Sequence, residues 1–213
     1  IGADATDLFN FLTGYSQQTE YRKLLVAPVK LRKQMIDLIG REAENAKQGK
    51  AAQIIAKINS LTDVETVHEL YKAAQAGVKI DLIIRGICVL RPELAGVSEN
   101  IRVISVVGRF LEHSRIFWFA NGGNEEVYIG SADWMQRNLN RRVEVIVPIT
   151  DKWFRQYLKE EILAAYLQDN VNAQVLQFDG EYRKLNPLTD DTAFNSQLYF
   201  IGQEIQPDLE EKV

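Results

Sequence analysis

Short β-branched apolar runs alternate along this chain with stretches of helical period, and that alternation leaves few folds open. Ala51–Ile58, Lys79–Ile84 and Ile101–Val107 read as buried strands. Arg115–Phe119 and Val127–Ile129 read as two shorter ones, and Val143–Val147 is strongly β-branched. Between them, Leu31, Met35, Leu38, Ile39 and Ala46 recur at helical spacing, with Gly49 as a stop. Thr62 or Asp63 can cap a second helix carrying Val64, Val67, Leu70, Tyr71 and Ala74 on one face, ended by Gly77. Asp151 is placed to cap a third, with Phe154, Tyr157, Leu158, Ile162 and Ala165 on its inner face. Strands separated by amphipathic helices imply an α/β sheet covered by helices. In such sheets ligands gather in the loops beyond the strand ends.

The chain of 213 residues can bury a substantial core. No apolar run approaches the roughly 18 residues of a membrane span. The chain opens Ile1-Gly2-Ala3-Asp4, with neither a basic start nor an apolar core, so no signal peptide is expected there. The lack of a starting methionine points to a piece of a longer protein. Cys88 is the single cysteine, which leaves no intrachain disulfide and fits a reducing cytosol. A net charge of −4 argues against a general nucleic-acid binder.

The cations are unevenly placed. All lysines lie outside Ile80–Asp151, whereas that stretch holds Arg85, Arg91, Arg102, Arg109, Arg115, Arg137, Arg141 and Arg142. A guanidinium fork matches two phosphate or carboxylate oxygens at once, and an ammonium does not. The arginines point to oxyanion recognition, although surface pairing with Glu93, Glu99, Glu112, Glu125, Glu126 and Asp133 would also account for them. In Gly77–Pro92, Arg85 follows an apolar strand directly and Gly86 allows a sharp turn. In Val107–Gly123, His113 and Arg115 are two apart and share a face if extended. In Val127–Val145, Gly130-Ser131 makes a tight turn ahead of Arg141, Arg142 and Glu144. Glu144 alternates with Val143 and Val145 and could simply face solvent. His68 has no such company and reads as a helix-surface residue. Phe117, Trp118 and Phe119 read as core.

The runs IDLIIRGICVLRP, SENIRVISVVGRFLEHSRIFWFANGG and VYIGSADWMQRNLNRRVEV resemble the C-terminal region of the type-1 polyphosphate kinases. So do LFNFLTGYSQQTEYRKLLVAP, Leu8–Pro28, and KINSLTD, Lys57–Asp63. The resemblance is collinear from Leu8 to about Leu167. That family is similar in fold to the phospholipase D superfamily, so the resemblance implies a phospholipase D-like mixed β-sheet flanked by α-helices. His113-Ser114-Arg115 stands where the superfamily has a second His-x-Lys motif, with Arg in place of Lys. The superfamily's Asp would fall on Ala120, and Asp133 follows the small-residue turn where Asn is usual. These departures run against phosphodiesterase chemistry.

The resemblance implies an enzyme that reversibly moves the terminal phosphate of ATP onto inorganic polyphosphate, with Mg2+, through a phosphohistidine upstream of this chain. It implies His113 as a second catalytic histidine facing the phosphorylated one, and Arg85, Arg115 and Glu144 as contacts for ATP or polyphosphate. It places metal binding mainly outside these residues. It also implies ATP/ADP and polyphosphate as partners, a homo-oligomeric parent, and a cytoplasmic or peripherally membrane-associated location. The expected organisation is the end of a preceding domain or linker over 1–22, a catalytic domain over 23–185 and a polar tail over 186–213. The rival readings are a phospholipase D-like phosphodiesterase or nuclease, and a non-catalytic polyanion-binding module. The chain on its own is expected to fold and to be inactive.

Overall fold

The computed structural model describes residues 1–15, 20–187 and 192–202. The β-branched runs pair into one nine-stranded mixed sheet. The strands are β1 (Leu25–Ala27), β2 (Gln53–Ile58), β3 (Lys79–Ile84), β4 (Ile101–Val106), β5 (Ile116–Phe119), β6 (Glu126–Gly130), β7 (Glu144–Ile149), β8 (Ala173–Leu176) and β9 (Tyr182–Lys184). Their spatial order is β1-β7-β6-β5-β2-β3-β4-β8-β9. β2, β3 and β4 run parallel, and every other pairing is antiparallel.

The central strands are buried on both faces, which is why they read as continuous apolar runs rather than alternating ones. One face carries Ile54, Ala56, Ile58, Leu82 and Phe117. The helices α2 (Leu31–Lys47) and α3 (Val64–Gln75) cover it through Leu31, Met35, Ile39, Val67 and Leu70. Asp63 caps α3 by accepting from the Thr66 N–H, and its carboxylate also pairs with Arg32 at 2.6 Å. Gly49 and Gly77 follow these helices with positive φ, the conformation in which a Cβ would be strained.

The other face carries Ile55, Ile83, Ile104 and Trp118 and is covered from the C-terminal side. Beyond the short α4 (Gln136–Asn140), Asp151 caps α5 (Lys152–Tyr157) by accepting from Phe154 N–H. The chain then makes a π-helical turn, Leu158–Leu163, before α6 (Ala164–Gln168). This wider turn inserts an extra residue and rotates the buried stripe. Leu158, Ile162, Leu163, Ala165 and Tyr166 lie on the inner side, whereas Phe154, expected inside, stands before this turn and is exposed.

At the N-terminus, α1 (Gly2–Leu12) packs Leu8 on Leu24 and Val26. Within the expected tail, α7 (Ser196–Gly202) is anchored by Asp169, which accepts from Ser196 N–H and Oγ–H. Residues 188–191 and 203–213 of that tail lie outside the described ones.

Register decides where the loops meet. Ile58 pairs with Ile84, Ile83 with Ile104, Lys57 with Ile116, Ile116 with Ile129 and Gly130 with Ile146. The ends of β2, β3, β4 and β6 and the starts of β5 and β7 thus share one edge of the sheet. The three segments singled out from the sequence converge there.

Candidate active site

The edge is stitched by Asn59–Asp63, the loop after β2. Leu61 bridges Cys88 on one side and Trp134 on the other. Its N–H donates to the Ile87 carbonyl at 2.8 Å, while Thr62 and Asp63 N–H donate to the Trp134 carbonyl. Gly86 sits where this loop approaches most closely. A Cβ there would lie 2.8 Å from the carbonyl oxygen of Asn59, so glycine is required by contact with the neighbouring loop rather than by an unusual φ.

A hydrogen-bonded chain runs through the predicted site residues. Arg85 Nε donates to Asn59 Oδ1 at 2.6 Å. Asn59 donates through its backbone N–H and Nδ2 to the two oxygens of Asp133, at 2.7 and 3.3 Å. Asp133 also accepts from Arg115 Nε and Nη2. Arg115 Nη1 donates to the His113 carbonyl at 2.7 Å. Arg85, Arg115 and His113 are therefore brought together. Arg85 spends Nε on Asn59. Three nitrogens of Arg115 are already engaged, two on Asp133 and one on the His113 loop.

Glu144 is buried at 7% exposure rather than facing solvent. Its carboxylate accepts from Ser131 Oγ–H on one oxygen and from Asn138 Nδ2 at 2.5 Å on the other. It ties the Gly130-Ser131 turn to the start of β7, next to Gly130, where a Cβ would fall 2.4 Å from the Val145 carbonyl.

His113 lies in an irregular segment, Val107–Arg115, and is exposed. Beneath that segment is a cleft of about 160 Å³ whose lining includes Lys57, Arg85, Arg109, Glu112 and Tyr166. Lys57 and Glu112 pair there at 3.3 Å and offset each other, which leaves the charges of Arg85 and Arg109 uncompensated in the cleft. The surplus is positive, as an oxyanion requires. Burial pushes the Lys57 ammonium below its usual range; Glu112 opposes this, and Arg85 and Arg115 add to it. Lys57 and Asn59 are functional candidates that sequence reading missed. The available signal was a polar pair two apart at the end of an otherwise apolar strand.

Among the described residues, no three His, Cys, Asp or Glu side chains converge as metal ligands. The carboxylates at the site have both oxygens taken: Asp133 by Arg115 and Asn59, Glu144 by Ser131 and Asn138, and Glu112 in the cleft by Lys57, Tyr166 and Gln197. These residues do not make a resident magnesium site.

The family model for polyphosphate kinase C-terminal domain 2 matches residues 24–197. The chain belongs to that family. It is 54% identical to the polyphosphate kinase of Synechocystis sp. over 211 residues, covering 99% of this chain and 29% of that protein. Against the polyphosphate kinase of Pseudomonas aeruginosa it is 49% identical, covering 97% and 30%. The chain thus spans about three-tenths of the length of these curated relatives. The crystal structure of polyphosphate kinase from Porphyromonas gingivalis superposes with a TM-score of 0.87 at 40% identity, over 92% of this chain and 30% of that one. Nuc of Salmonella typhimurium, a phospholipase D family member, superposes with a TM-score of 0.52 at 15% identity, over 73% of this chain and 97% of that one. That likeness shows a shared fold, so this polyphosphate kinase domain has the phospholipase D-like mixed sheet its sequence resemblance implied. No helix among the described residues is long and apolar enough to cross a membrane.

Proposed function

We propose that this chain is the C-terminal catalytic part of a polyphosphate kinase that reversibly transfers the terminal phosphate of ATP to polyphosphate, through a phosphohistidine contributed by an upstream domain. The observation that carries the reading is the joining of Arg85, Arg115 and His113 through Asn59 and Asp133 at one sheet edge, beside a cationic cleft, in a chain of this family. Phosphoryl transfer depends on positioning and on neutralising charge at the transferring group. Arg85 supplies the neutralisation, held by its Nε bond to Asn59 and lining the cationic cleft. His113, exposed and next to Arg115, gives or takes the proton at the reacting oxygen or at the facing histidine. Arg115 holds His113 and Glu144 holds the Gly130-Ser131 turn, beside the contacts to ATP or polyphosphate expected of them. Any magnesium the reaction uses would be held by the nucleotide phosphates rather than by these residues. Residues 1–22 lead in from the upstream domain, and 23–185 form the catalytic unit.

The test is steady-state polyphosphate synthesis from ATP by the full-length enzyme, alongside a thermal melt, for wild type, His113→Ala and His113→Gln. Loss of turnover by about 100- to 10,000-fold with the melt unchanged is expected, the usual range for general acid–base catalysis. Wild-type turnover in His113→Ala would remove His113 from the active site. The isolated 213 residues should melt cooperatively and make no polyphosphate, because the phosphorylated histidine is elsewhere. Robust synthesis by this chain alone would overturn the reading.

A further inference from the structure

The histidine loop has no secondary structure of its own, so something else must fix it. Lys57 is the residue best placed to do so. It is the next-to-last residue of β2, a central strand, and is 5% exposed. Its Nζ donates to Ser114 Oγ at 2.8 Å and pairs with the Glu112 carboxylate at 3.3 Å. Those are the two residues that flank His113. One ammonium on the rigid sheet therefore grips the loop on both sides of the imidazole.

The grip is itself backed by other elements. Tyr166 Oη on α6 donates to the same Glu112 oxygen. The Lys57 ammonium also lies 4.5 Å from the centroid of the Tyr166 ring, within cation–π range. Gln197 on α7 donates through Nε2 to the other Glu112 oxygen at 2.9 Å and to the Phe110 carbonyl, and accepts from the Phe110 N–H. A buried lysine placed near two arginines is electrostatically unfavourable. It makes physical sense where Glu112 compensates it and where the geometry it enforces is used.

We infer that Lys57 is a positioning residue for His113, holding the imidazole in register with the Arg85 side of the site through Glu112 and Ser114. The inference rests on the proposed catalytic role of His113. Lys57 acts through the loop and not on phosphate, so its loss should reduce turnover while leaving nucleotide binding in place. Misplacing a catalytic group by about 1 Å can cost on the order of 100-fold.

The experiment uses the full-length enzyme with radiolabelled ATP, so that deep losses remain measurable. The variants are Lys57→Met, His113→Ala and the two combined, each normalised to folded protein by a thermal melt. Lys57→Met is expected to lower kcat by about 100-fold with KM for ATP within about twofold of wild type. In the His113→Ala background the same substitution should cost less than about twofold, because the group it positions is gone. Equal losses in both backgrounds, a loss confined to KM, or wild-type kcat per folded enzyme would each overturn the inference. If Lys57→Met does not fold, Lys57→Met with Glu112→Gln removes both charges, leaves neither orphaned and is read by the same criteria. Wild-type turnover in His113→Ala would instead sink the underlying reading, and that outcome is visible before any Lys57 variant is considered.

Discussion

Arg115 lays its guanidinium fork along the carboxylate of Asp133, with Nε 3.2 Å from one oxygen and Nη2 3.1 Å from the other. Both partners are largely shielded, with side-chain exposures of 16% and 6%. Asp133 also takes two donors from Asn59, so a single carboxylate ties the loop after β2 to the start of β5 and to the turn after β6. Removing one member of such a pair leaves an uncompensated buried charge. Asp133→Ala should therefore destabilise the chain by about 3–5 kcal/mol, the usual cost of breaking a buried ion pair. Chemical denaturation of the 213-residue chain measures it, and a change within experimental error would mean that Arg115 finds water or another partner at no cost.

Arg85→Lys should impair the full-length enzyme although charge is kept. The lysine loses the 2.6 Å bond to Asn59 and the second nitrogen needed to hold two phosphate oxygens in parallel. A loss of about 1–3 kcal/mol in transition-state stabilisation is expected, the scale of a charge-assisted hydrogen bond. It is read as the ratio of kcat/KM, and wild-type kinetics would place Arg85 outside the site.

Gly86→Ala tests the loop contact separately from the guanidinium. The new methyl would press on the Asn59 carbonyl at 2.8 Å and on Ser60 Oγ at the same distance. Relief requires the Arg85 turn to lift from the Asn59 loop, at a cost of about 1–3 kcal/mol, as for other overpacked sites. Denaturant titration should show the loss in the isolated chain, and activity in the full-length enzyme should fall with it.

Glu42 gives a pH signature away from the site. It is fully buried on α2 and accepts from the Asn121 N–H and the Gln53 N–H. Burial raises its pKa above the ordinary 4.5, opposed by those N–H groups and by Arg41. The folded state then binds the proton more tightly than the unfolded one. The stability this supplies is complete below 4.5 and is lost as pH rises through the elevated folded value. Glu42→Gln keeps an acceptor oxygen and does not titrate. The melting temperature of wild type relative to Glu42→Gln should accordingly fall as pH rises from about 4 through that window. A difference independent of pH would show that Glu42 titrates alike in both states.

The fold was legible in the sequence because its signals are local. Strand runs, the Asp63 and Asp151 caps and the Gly49 and Gly77 stops each depend on neighbours a few residues away. Sequence also singled out Arg85, His113 and the Gly130-Ser131 turn, since each directly follows or precedes a strand in a fold that collects loops at strand ends. What those side chains touch was decided only in three dimensions. Lys57 meets Ser114 across 57 residues, and Asn59 meets Asp133 across 74, so neither partnership leaves a periodic trace. Glu144 alternates with valines as an exposed strand residue would, yet is buried because Ser131 and Asn138 supply its hydrogen bonds. Phe154 keeps the apolar spacing of Leu158 and Ile162 yet is exposed, because the π-helical turn at Leu158–Leu163 puts the residues before it out of phase with those after it. Periodicity reports which side of an element is apolar. Whether a polar group on that element can be buried depends on a donor or acceptor delivered by another part of the chain, and only the tertiary structure brings the two together.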